Sequence, residues 1–167
     1  MNKITGVFLL AAVLLFSCQK SSELSASREP ARVMVTRIDG EMVRIAEDAR
    51  NTLPSFFRNL TRGKDADYFC VKYPFAADED SGVDMEQVWL TGIYFKNGFH
   101  YGVFANNPRH LRGLKKGDKV IFEMDTITDW MYVRGGKITG GDSIKYLLEQ
   151  IPENQRSDRE RELLRMF

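Results

Sequence analysis

Cysteine is scarce in this 167-residue chain: only Cys18 and Cys70 occur. With Cys18 consumed by modification, as argued below, Cys70 has no partner, which excludes an internal disulfide framework. Histidine is equally rare. His100 and His110 have no helix-spaced acid or second histidine beside them, and Cys70 is remote, so no zinc pattern is present. A glycine-rich phosphate loop, a nucleophile elbow and a redox cysteine pair are also missing. Neither sign of charge prevails, with 24 Lys and Arg against 23 Asp and Glu, so no global field recruits nucleic acid. The expectation is a protein without cofactor, metal or nucleic-acid partner.

Long apolar runs are missing too, with one exception. Residues 4–16 are apolar behind the single Lys3, but 13 residues fall short of the roughly 20 needed to cross a bilayer core. The run closes on Leu14-Leu15-Phe16-Ser17-Cys18, which resembles the lipobox of a bacterial lipoprotein signal peptide. That resemblance implies a diacylglyceryl group on the Cys18 thiol, cleavage before it and acylation of the new amino terminus. An ordinary secretory signal with an incidental cysteine is the rival reading, since Ala11 and Ala12 also suit another peptidase. Each buried methylene contributes about 0.8 kcal/mol, so two or more acyl chains hold a protein stably on a membrane. Gln19 stands where an inner-membrane retention signal usually carries Asp, which points to the outer membrane of a bacterial envelope. Residues 20–32 contain four serines, two glutamates, Pro30 and a single large aliphatic, Leu24, and read as a tether unable to bury a core.

Removing 17 residues leaves 150, enough for one domain with a real core. Met42, Ile45, Ala46, Ala49, Leu53, Phe56, Phe57 and Leu60 recur at spacings of three and four, predicting a helix that buries one stripe. Asp39 is a candidate cap. Pro54 predicts a kink or two short helices in line. Val33-Met34-Val35 reads as a short strand or as tether. The pattern then becomes strand-like at 69–75, 86–95, 99–105, 119–124, 130–133 and 137–139, with Asn97-Gly98 and Gly135-Gly136 as tight hairpin turns. A two-residue turn at Asn97-Gly98 would pair Phe95 with His100, Tyr94 with Tyr101 and Gly92 with Val103. Asp142 or Ser143 is placed to cap a helix that buries Ile144, Leu147, Leu148 and Ile151 before Pro152 ends it. Ser157-Asp158-Arg159-Glu160 fits a capping box ahead of Leu163, Leu164 and Phe167. The fold class expected is α+β. A strongly curved antiparallel sheet of five or six strands, open or barrel-like, is packed by a kinked N-terminal helix and a C-terminal helix. Residues 1–17 form the signal, 18–40 the lipidated terminus and tether, 41–152 the domain, and 153–167 a charged, loosely docked helical tail.

Several segments in this order resemble the YegJ-like family of bacterial proteins, a domain of unknown function. They are Ala49-Arg50-Asn51-Thr52-Leu53-Pro54, Phe69-Cys70-Val71-Lys72, Glu86-Gln87-Val88-Trp89-Leu90 and Gly102-Val103-Phe104-Ala105-Asn106-Asn107-Pro108. Leu114-Lys115-Lys116-Gly117-Asp118-Lys119-Val120, Asp129-Trp130-Met131 and Gly140-Gly141-Asp142 follow. The match covers residues 41–150 and departs at Asp142-Ser143, where the family usually carries an aromatic or small residue with Thr. The resemblance implies fold and kind more than reaction.

Glu86, Trp89, Asn106, Asp129 and Trp130 are the candidate binding face, through which a non-catalytic envelope module would take a protein or small ligand. Glu86 and Trp89 are three apart, so a straight strand sends them to opposite faces unless a bulge intervenes. The bland reading packs both tryptophans under helices, with Asp129 capping a turn and Asn106-Asn107-Pro108 serving as turn chemistry. A hydrolase-like enzyme built on Glu86 and Asp129, with Asp84 and Asp125 as further acids, is one alternative. An immunity-type or regulatory partner of another envelope protein is a second. Arg109, His110, Arg112, Lys115, Lys116 and Lys119 form a basic cluster that reads first as a solvated loop and second as a contact for anionic headgroups or an acidic partner. Cys70, in an apolar run, reads as a buried core thiol rather than a reactive one.

Overall fold

A computed structural model describes residues 40–62 and 66–167. Cys18, the tether, Asp39 and Val33-Met34-Val35 lie outside the described residues.

The apolar stripe forms one helix, α1 (Gly40–Arg62), and buries Ile45, Ala49, Leu53 and Phe56. It does not split at Pro54. That residue sits on the exposed side, where solvent can meet the Arg50 carbonyl that lacks its helical donor. Six strands follow: β1 (Tyr68–Ala76), β2 (Met85–Lys96), β3 (Phe99–Phe104), β4 (Lys119–Phe122), β5 (Asp129–Arg134) and β6 (Lys137–Gly140). They form one antiparallel sheet in the order β4-β3-β2-β1-β5-β6, which is open and not a closed barrel. After β6 come α2 (Asp142–Glu149) and α3 (Asp158–Met166).

Both hairpins form at the expected dipeptides, with Lys96 opposite Phe99 and Arg134 opposite Lys137. Tyr94 faces Tyr101, ring on ring at 4.9 Å and 7°, and Phe95 faces His100. Further along the ladder the register departs from expectation, because Val103 pairs with Thr91 and not with Gly92. Gly92 and Ile93 together oppose Gly102, and Gly92 takes φ +59. This is a bulge opened by a left-handed glycine, and it returns Ile93 to the buried face.

Side chains alternate across the sheet and feed two cores. Val71, Val88, Leu90, Phe104, Phe122 and Trp130 pack on one face against Ala49, Leu53 and Phe56 of α1. Phe56 is fully buried, edge-on to Phe69 at 5.8 Å and tilted against Trp130 at 5.4 Å. Cys70, Trp89, Met131 and Val133 face the other way, onto Ile144 and Leu148 of α2 and Leu163 of α3. The Ser157/Glu160 capping box is present. It starts a helix that belongs to the core, not a loose tail, since Leu163 is buried and Leu164, Met166 and Phe167 are packed beside it. Expected helix caps at Asp142 or Ser143 are replaced by Gly141 in a left-handed conformation with no side-chain cap bond.

Candidate functional site

The centre of the sheet carries the most unusual chemistry. Lys72 occupies the middle of β1, with Trp89 of β2 opposite it on one side and Asp129 of β5 on the other. All three side chains face α2. Lys72 is 7% exposed, Asp129 2% and Ser143, in the first turn of α2, 1%. Asp129 Oδ2 accepts from the Ser143 hydroxyl at 2.6 Å and from its backbone N–H at 2.9 Å, while Oδ1 accepts from the Trp130 N–H at 2.7 Å. Lys72 Nζ donates to Ser143 Oγ at 3.1 Å and lies 6.0 Å from the Trp89 ring centre. Burial disfavours both charges: it raises the Asp129 pKa against the pull of Ser143 and Lys72, and it lowers that of Lys72. Asp129 also sits at the positive end of α2, where a carboxylate bonded to a first-turn N–H is favoured. Together these groups lock α2 onto the sheet. Cys70, beside them, is fully buried, and burial pushes its thiol pKa up.

Asp129 was recognisable in the sequence, and Ser143 stood out only as a candidate helix cap, whereas Lys72 was not singled out. One signal was available: strict alternation places Lys72 on the face of Cys70, the residue expected to be buried.

The five residues of the expected binding face do not share a face. Trp89 and Asp129 point toward α2 and α3, while Glu86 and Trp130 point toward the opposite layer, so no bulge brings Glu86 and Trp89 together. Both tryptophans are buried beneath helices, and the Trp130 indole N–H donates to the Ala49 carbonyl at 3.1 Å and to Thr52 Oγ1 at 3.0 Å. Glu86 and Asp129 likewise lie on opposite sides of the sheet and do not form a carboxylate pair. Asn106 is nine-tenths buried, and its Oδ1 has no hydrogen-bond partner among the described residues.

Glu86 holds the loop between β3 and β4. Its carboxylate accepts the Arg109 N–H on both oxygens, at 2.8 and 2.9 Å, and the His110 N–H at 2.7 Å. Asp78 takes the Arg112 N–H at 2.7 Å, and the Arg112 guanidinium pairs with Asp80. The basic cluster is thereby tied to the acidic loop after β1. In this solvent-exposed setting each such bond contributes no more than about 1 kcal/mol, and the three N–H bonds to Glu86 act together. The Glu86→Ala variant is therefore expected to be cleaved by trypsin after Arg109 and Arg112 roughly ten-fold faster or more, with folding of the rest intact. Unchanged cleavage in a timed digest would show that the carboxylate does not hold this loop.

A shallow groove lies elsewhere, between the end of α1 and the β2–β3 hairpin. It is lined by Phe57, Leu60, Thr61, Ile93, Tyr94, Phe95 and His100. Among the described residues no group of three or more His, Cys, Asp or Glu is placed to hold a metal ion, and no helix is long and apolar enough to cross a membrane.

Residues 39–163, which contain both cores and the buried Lys72–Ser143–Asp129 network, match the family described as an uncharacterized protein conserved in bacteria, DUF2314. The chain belongs to this family. It is 31% identical over 160 residues to the uncharacterized protein YegJ of Escherichia coli K12, an alignment covering 95% of this chain and 98% of YegJ. It is also 33% identical over 129 residues to a protein of Neisseria meningitidis serogroup B whose name proposes an ankyrin repeat protein. That alignment takes 74% of this chain but spans only 51% of the Neisseria protein. No solved structure matches the chain. The DUF2314 match ends at Leu163, so it includes most of α3, in keeping with that helix's place in the core.

Proposed function

We propose that this DUF2314 protein is a bacterial envelope lipoprotein, held on the outer membrane through acylated Cys18, whose folded part is a binding module for another envelope protein. The observation that carries the binding reading is the distribution of exposed apolar side chains. Of the eight large hydrophobic residues exposed among those described, three, Tyr94, Phe95 and Phe99, sit on the β2–β3 hairpin. An apolar concentration of this kind beside a groove is characteristic of a contact surface. The polar groups that would serve chemistry are engaged in structure instead: Asp129 and Lys72 with Ser143, and Glu86 with the loop. A regulatory or immunity-type role is one form of this reading, with the hairpin as the contact.

The test combines fatty-acid labelling with crosslinking in living cells. A Cys18→Ala chain is expected to lose the incorporation of labelled fatty acid that the unaltered chain shows, since the acylated sulfur is gone. A photoreactive residue at Phe95 or Phe99 is expected to capture one discrete envelope protein, whereas the same probe at Glu149 captures none. Equal incorporation of fatty acid by the unaltered and Cys18→Ala chains would overturn the anchor. Equal capture from both positions would overturn the hairpin as the contact.

A further inference from the structure

We propose that β4 is a self-complementary edge through which two copies of this chain pair as a symmetric dimer. β4 ends the sheet, with β3 on its inner side. Its five-residue stretch reads Lys119-Val120-Ile121-Phe122-Glu123, and Glu123 keeps an extended backbone at φ −103, ψ 137, so the strand geometry runs through all five. An antiparallel pairing of this stretch with itself, centred on Ile121, places Ile121 against Ile121 of the second copy. It sets Val120 against Phe122 and Lys119 against Glu123, and symmetry repeats each of these last two contacts. Opposite charges facing each other across antiparallel strands stabilise the ladder, and like charges there destabilise it. An isologous interface requires this reciprocity, in which residue i meets j and j meets i. A shift of one residue would place side chains from opposite faces together and lose both charge pairs, so the pattern selects one register.

The apolar part agrees. Ile121, Lys119 and Glu123 share a face with Tyr101 and, through it, Tyr94. Ile121 is 53% exposed and Tyr94 39%, because α2 and α3 cover the other half of that face. Pairing would join the Tyr94–Tyr101–Ile121 row of one copy to that of the next. An unpaired edge strand presents a row of backbone donors and acceptors, and Lys119 and Glu123 here select a partner of matching sign pattern rather than any strand. The contact is short and below the area of a standard stable interface, so the dimer is expected to have a dissociation constant in about the micromolar range or weaker. It does not require the lipid anchor or the hairpin contact.

The test is register-specific disulfide formation in the full chain, purified in detergent and oxidised mildly, with the unaltered chain as the control for Cys18 and Cys70. Directly opposed residues in antiparallel strands have Cα atoms about 4.5–5.5 Å apart, within the reach of a disulfide. Ile121→Cys is expected to give a covalent dimer. Lys119→Cys alone is expected to give none, but a mixture of Lys119→Cys and Glu123→Cys chains is expected to give a mixed dimer. In light scattering against concentration, Lys119→Glu and Glu123→Lys should each weaken association about three- to ten-fold, and the double exchange should restore it. Monomers at every concentration, or equal crosslinking of Lys119→Cys with itself, would overturn the proposal. So would an Ile121→Cys chain that stays monomeric under the same oxidation while its thiol still reacts with a maleimide.

Discussion

Replacing Asp129 with alanine is expected to destabilise the protein by about 3–5 kcal/mol, read as a fall in the urea midpoint at constant slope. Three consequences combine. The Ser143 and Trp130 backbone N–H groups lose their acceptor in a layer closed to water, the Ser143 hydroxyl loses its short bond, and the Lys72 ammonium is left buried without a counter-charge. Breaking one member of a buried pair costs more than the pair contributes, because the desolvation of the survivor is no longer offset. The decisive measurement is therefore the double variant. Lys72→Met with Asp129→Asn removes both charges while keeping shape and one acceptor, and its cost is expected to fall at least about 1 kcal/mol below the sum of the two single changes. Strict additivity would show that Lys72 and Asp129 are not energetically coupled.

Gly140→Ala is expected to cost about 3–5 kcal/mol. Gly140 takes φ +74, and a Cβ there would run into the Trp130 carbonyl oxygen and come within 2.7 Å of Cε3 and 2.8 Å of Cζ3 of its ring. None of those atoms can retreat, since the ring is fixed beneath α1 and the carbonyl accepts the Gly141 N–H at 2.8 Å. Gly113 supplies the control: its φ is +76, but nothing lies within 4 Å of a Cβ built on it. Gly113→Ala should pay only the conformational penalty, about 1 kcal/mol. Equal losses in thermal melts would mean that backbone strain alone, and not the close approach of β6 to Trp130, requires glycine at position 140.

These residues also show what could be read from the chain before its structure. The α1 stripe, both hairpins, the Ser157 capping box and the buried Cys70 follow from local periodicity and turn chemistry, and all are present. Whether the helix would pass Pro54 whole or split there was left open, because the proline's orientation depends on which side of the helix the sheet covers. The register slip at Gly92 escaped for a related reason: a glycine marks where a bulge is allowed, and only packing of Ile93 decides that it forms. Asp129 and Trp130 drew notice as neighbours, yet consecutive strand residues point to opposite faces, and here both faces are covered. The candidate face thus dissolved into two interiors. Lys72 and Ser143 lie 71 residues apart and meet only through the sheet order. The acidic loop at Asp78 and the basic cluster at Arg112 were each visible, but their mutual attachment depends on the same long-range arrangement.

The two indoles of this chain, Trp89 and Trp130, are its only ones, and each lies under a different helical layer. A Trp130→Phe chain would report optically on the α2–α3 side alone, and a Trp89→Phe chain on the α1 side alone. Stopped-flow fluorescence of the two can then separate a collapse in which both layers leave the sheet at once from one in which either layer peels away first.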